Sequence, residues 1–178
     1  MCSGGTVCED PRVSGYDAGA WSDFSVGLAG AAAALTGLLF VAVSINLERI
    51  VRFPTLPRLA ASTLALFATV LLGALVILIP GQSAEALGLE LLVLGLAVGV
   101  PLIWSQTRPP RRINETSLLD WLATRLAPAV LVPALTAVAG VGLLTSSLGG
   151  LYWFAAAAVV AVAAGLVGAW VLLVEIQR

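Results

Sequence analysis

The sequence predicts an all-α integral membrane bundle of five transmembrane helices, with the N-terminus outside the cytoplasm and the C-terminus inside. Two observations carry the fold class and a third carries the orientation. Of 178 residues, 60% are hydrophobic and 11% charged, where a soluble domain carries about a quarter charged residues. The mean hydropathy is +1.03, and the apolar residues fall into five runs, each near the roughly 20 residues that a helix needs to cross the hydrocarbon core. The arginines gather in the loops of one side, and cytoplasmic loops retain them.

Residues 1–20 are rich in Gly, Ser and acids and read as a mobile extracytoplasmic tail, leaving 21–178 as the transmembrane domain. Cys2 and Cys8 lie in that tail, with no hydrophobic stretch before them that would make a signal peptide. An oxidising compartment permits a small disulfide loop between them. Ser22 and Asp23 are candidate N-caps for a first span over about 24–47, which carries no charge. A basic loop from Glu48 to Arg58, broken by Pro54 and Pro57, leads to a second span over about 59–79, stopped by Pro80 and Gly81. Only Gln82 and Ser83 separate it from the third, about 84–104, so these two spans form a tight antiparallel hairpin.

The loop that follows holds Arg108, Arg111 and Arg112, which belong against anionic lipid headgroups. It also holds Ser117 and Asp120, spaced like a capping box at the start of a short interfacial helix. A fourth span covers about 126–144 with a kink expected at Pro133. Thr145 to Gly150 then turn the chain into the fifth span, about 151–174. Eight arginines (Arg49, Arg52, Arg58, Arg108, Arg111, Arg112, Arg125 and Arg178) fall on one side of this arrangement, against Arg12 on the other. The arginine side is therefore the cytoplasmic one. Trp21, Tyr152 and Trp153 fall at the outer boundary and Trp104, Trp121 and Trp170 near the inner one, as interfacial aromatic belts do.

The residues that could carry chemistry are few. There is no lysine and no histidine, which removes the side chains that most general-base, haem and Schiff-base sites use. No enzyme motif, cofactor site or metal-ligand cluster is expected, and the formal charge of -1 gives no reason to expect nucleic acid. The third span alone holds acids, Glu85 near its mouth and Glu90 well inside. At 1.5 Å per residue, Glu90 lies roughly 6 Å outward of the midplane. Its functional reading is a protonatable group or cation ligand on a permeation path; its bland reading is an acid hydrogen-bonded inside the bundle. No arginine lies at its depth, so Thr36, Thr69 and Thr136 are its candidate partners, unless each bonds to its own i-4 carbonyl.

Small residues recur at spacings that let helices approach: Gly30 and Ala34, Gly95 and Gly99, Gly165 and Ala169. They are read as packing surfaces, either within the chain or toward a second copy. The lipid bilayer is the one partner that composition demands, with other membrane proteins or the chain itself beside it.

The stretch WSDF at 21–24, continuing as GLAGAAAALTGLLFVAVSINLERI to Ile50, together with LIPGQS at Leu78 to Ser83, resembles a group of small actinobacterial membrane proteins often labelled "modulator of FtsH protease". The resemblance covers mainly the first span and the hairpin turn. It implies a bacterial plasma membrane and contact with a membrane protease, and brings no catalytic or binding residue. Two functions are thus expected to compete: a non-enzymatic protein acting through contacts with other membrane proteins, and a small proton- or cation-linked transporter or channel subunit using Glu90.

Overall fold

The computed structural model of the chain describes residues 15–52, 56–106 and 126–177. A 3₁₀ helix, Ala18–Trp21, precedes α1 (Ser22–Ile45), α2 (Leu47–Arg52), α3 (Leu56–Ile77), α4 (Ala84–Gln106), α5 (Ala127–Thr145) and α6 (Leu151–Gln177). Among the described residues every regular element is helical, and five of the helices are long and apolar enough to cross a membrane. The sequence boundaries hold to within a few residues. The hairpin between α3 and α4 stands where Pro80 removes a backbone donor and Gly81 takes φ +71.

Three local expectations need correction. The tail is structured from Gly15 onward rather than from Trp21, because Asp17 caps the 3₁₀ helix by accepting from Gly19 N at 2.9 Å. Ser22 and Asp23 do not cap α1: Trp21 occupies the cap position and its side chain makes no capping bond, and Asp23 sits in the first turn. The basic loop contains a helix, since the chain pauses only at Asn46, whose amide nitrogen donates to Ala42 O at 2.9 Å, before α2 begins. Pro57 lies at the second position of α3, where a missing N–H breaks no intrahelical bond. The interfacial helix expected near Ser117, and residues 1–14 with both cysteines, lie outside the described residues.

α3 is the centre of the bundle, packing against α1, α4 and α6 and touching α5. Its contact with α6 is reciprocal: the ring of Phe154 fills the notch at Gly73, and the ring of Phe67 fills the notch at Gly165. Both rings are only 1% exposed. α4 and α5 share the largest interface. There the backbones themselves meet, because a Cβ at Gly140 would stand 2.6 Å from Gly88 O and one at Gly95 would stand 2.8 Å from Pro133 O. Such approach replaces the hydrophobic force that lipid cannot supply between apolar helices. Both Pro101 in α4 and Pro133 in α5 are accommodated inside continuous helices.

α1 is different. It packs against α3 along Ser25, Ala32 and Leu39, and only 11% of its most apolar window is buried, against 50% for α3. Its start is held by a short strap at the acidic end of the bundle, the end that bears Asp17, Asp23 and Glu85. Leu151 N donates to Gly15 O at 2.9 Å, Gly149 N donates to the Tyr16 hydroxyl at 3.0 Å, and the Trp21 and Tyr152 rings meet edge-on at 5.0 Å. The turn receiving the strap takes positive φ at Ser146, Leu148, Gly149 and Gly150. Gly150 is required twice over, by its φ of +53 and by the Gly15 carbonyl lying where a Cβ would go.

Candidate functional site

Glu90 does not enter the bundle. It is exposed on the flank of α4, about 9 Å along the axis from Ala84, in a wall of exposed Leu89, Val93 and Leu96. Its Oε2 accepts from Nε2 of Gln82, which reaches down from the hairpin turn. The amide oxygen of Gln82 is buried with no hydrogen-bond partner among the described residues. The contact turns the amide nitrogen of Gln82 toward Glu90 and its oxygen away.

The threonines are not partners of Glu90. Thr36 donates to Ala32 O at 2.7 Å, Thr69 to Ala65 O at 2.7 Å and Thr136 to Val132 O at 2.8 Å. Each hydroxyl satisfies itself one turn back along its own helix, so the four residues grouped by depth form no cluster. Depth along a span is legible from sequence, whereas the azimuth of a side chain is not.

The small residues divide in two. Gly95 and Gly99 pack against Pro133 and Ala137, Gly165 against Phe67, and Ala169 lies beside the cluster of Leu39, Ile50 and Leu56. Gly30 and Ala34 do not pack within the chain: both are exposed, and nothing lies within 4 Å of a Cβ at Gly27, Gly30 or Gly37. These positions lie opposite Ser25, Ala32 and Leu39 on the helical wheel, so they form one outward face. Arg108, Arg111 and Arg112 lie outside the described residues.

A cavity of about 410 Å³ opens at the acidic end, between the strap and the hairpin. Sequence reasoning missed it by treating the tail as mobile; the signal was Asp17 two residues before Gly19, the pattern of a capped turn. Among the described residues no group of three His, Cys, Asp or Glu could hold a metal ion.

These features define a multi-pass membrane protein, with five helices among the described residues long and apolar enough to span. No family model, curated protein or solved structure matches the chain.

Proposed function

We propose that this chain is a non-enzymatic protein of the bacterial plasma membrane that works by contacting other membrane proteins through the outward face of α1. The single observation that carries the reading is the contrast among glycines. Every helical glycine of α3, α4, α5 and α6 meets a neighbour within 4 Å, and the three of α1 meet none. A glycine in a helix costs about 1 kcal/mol relative to alanine, and close helix approach is what offsets that cost in lipid. On α1 that approach has to come from another chain. The resemblance of this same segment, residues 21–50, to proteins labelled as modulators of a membrane protease supports a protease as that chain.

A photo-crosslinking residue placed at Ala34 is expected to join the protein to one discrete membrane protein, while the same residue at Val100, exposed on α4, yields only lipid adducts. Equal protein adducts at both positions, or lipid alone at Ala34, would remove the reading. An adduct to a second copy would make the contact homomeric.

The proposed orientation places the strap and hairpin outside and the arginines inside, on the eight-to-one arginine asymmetry. A reporter active only outside the cytoplasm is expected to work when fused after Gln82 or Ser147 and to fail after Arg52, Arg112 or Arg178. Activity at Arg112 would overturn both span count and orientation. The transport reading has less support, since Glu90 on the outer wall of α4 lines no path through a single copy.

A further inference from the structure

We propose that the strap is a releasable latch: docked, it pins the start of α1 to the turn between α5 and α6, and released, it lets that end of α1 tilt away from α3 while the far end stays in place. The helix is the one whose outward face is read above as a contact surface, and the consequence of the latch for contact rests on that reading.

The two ends of α1 are held differently. Toward its far end, Leu39 packs in one buried cluster with Ile50, Leu56, Ala60 and Phe67, and the chain continues through Asn46 into α2. These are large apolar side chains filling space, and separating them forfeits many dispersion contacts at once. Toward the strap, the buried positions of α1 are Ser25 and Ala32, which bring little side chain. Ser25 is 0% exposed, and its hydroxyl has no hydrogen-bond partner among the described residues. A buried hydroxyl left unpaired keeps its full desolvation cost. Closing this half of α1 on α3 is therefore opposed by a group that the closure buries. Ser25 stands about 4.5 Å along the axis from Ser22, one turn inside the helix start, where a small tilt returns the hydroxyl to headgroup water.

What offsets that cost is polar and local. Leu151 N donates to Gly15 O and Gly149 N to the Tyr16 hydroxyl. The strap backbone lies directly on the turn, since a Cβ at Gly15 would stand 2.8 Å from Gly149 O. On its other side the strap faces the hairpin across the cavity of about 410 Å³, and atoms lining a void gain no dispersion from across it. Each of these hydrogen bonds joins neutral groups and shifts the docking equilibrium by a factor of about five. The orphan hydroxyl opposes them by a factor of the same order, so docked and released positions exchange without unfolding of the bundle.

The test is double electron–electron resonance on the full chain in nanodiscs, with spin labels at exposed positions. One pair, Val26 and Ala156, reports the strap end, and a second, Val41 and Val167, reports the far end. The parent is expected to give one narrow distance for each pair. Gly15→Val cannot seat against the Gly149 carbonyl, and is expected to split the strap-end distance into two populations while leaving the far-end distance unchanged. Tyr16→Phe keeps the ring and removes one bond, and is expected to raise the released fraction about fivefold. Ser25→Ala, added to Tyr16→Phe, is expected to lower that fraction by about fivefold or more, a response that a strap serving only to tie down the tail would not give. The proposal is overturned if Gly15→Val leaves the strap-end distance as in the parent, if the far-end distance spreads with it, or if Ser25→Ala leaves the released fraction unchanged. The consequence for contact is read separately: in Gly15→Val, a photo-crosslinking residue at Val26 is expected to lose its protein adduct and one at Val41 to keep it. A parent with no protein adduct at either site removes the contact reading, and the distances still decide the latch.

Discussion

Gly140→Leu is expected to leave no stably folded protein in mild detergent, and Gly140→Ala to lower stability by about 1–3 kcal/mol, the usual range for overpacking. A Cβ at this position would stand 2.6 Å from Gly88 O and 2.7 Å from Leu92 N. Both are backbone atoms of α4, so no side-chain rotation relieves the clash. The helices would have to separate, and separation here also opens Gly95 and Gly99 against Pro133, because a helix moves as a unit. Gly30→Ala is the opposite case: with nothing within 4 Å of its Cβ, it is expected to raise stability by up to about 1 kcal/mol through helix propensity. Thermal melting of the two alanine variants in one detergent decides the matter. A neutral Gly140→Ala would mean that α4 and α5 do not meet backbone to backbone.

Glu90→Leu is expected to make insertion of α4 more favourable by about 2–3 kcal/mol, measured as the inserted fraction of the α3–α4 hairpin in a translocon assay. A charge at the helix centre costs about 3 kcal/mol on insertion scales and a leucine returns about 0.5; Glu90, roughly 6 Å off the midplane, falls below that central sum. Among the described residues the interaction lost is the bond from Gln82 at an exposed site, too weak to reverse the sign. Glu90→Gln falls between the two and separates the competing functions. It leaves helix contacts intact if the chain works by association, and abolishes proton-linked transport if Glu90 carries it. A fall in insertion with Glu90→Leu would mean that the acid is held by something outside this chain, such as a bound cation or a partner's donor.

Much of the fold was legible in the sequence because it rests on local quantities. Five apolar runs of spanning length mark five helices. Pro80 and Gly81 with only two residues following fix a hairpin, and it lies within two residues of its expected start. Gly95, Gly99 and Gly165 are candidate packing positions in the sequence because small residues recur four apart there, on one side of a helix. The strap was not legible. Tyr16 bonds to Gly149 N across 133 positions of sequence, and nothing local marks an aromatic residue in a polar tail as one that docks.

The sequence by itself determined which segments are helical, how deep each polar residue lies in its span, and that glycines would govern helix approach. Only the tertiary structure decided which way each residue faces: Glu90 outward rather than into the bundle, Thr36, Thr69 and Thr136 each bonded to its own helix, and Gly27, Gly30 and Gly37 turned away from every other helix. The reason is that lipid and protein interior are alike in polarity. A helix in water advertises its buried face by an apolar stripe, whereas a helix in a bilayer is apolar on all sides, and its rotation is fixed by the shape of its neighbours alone.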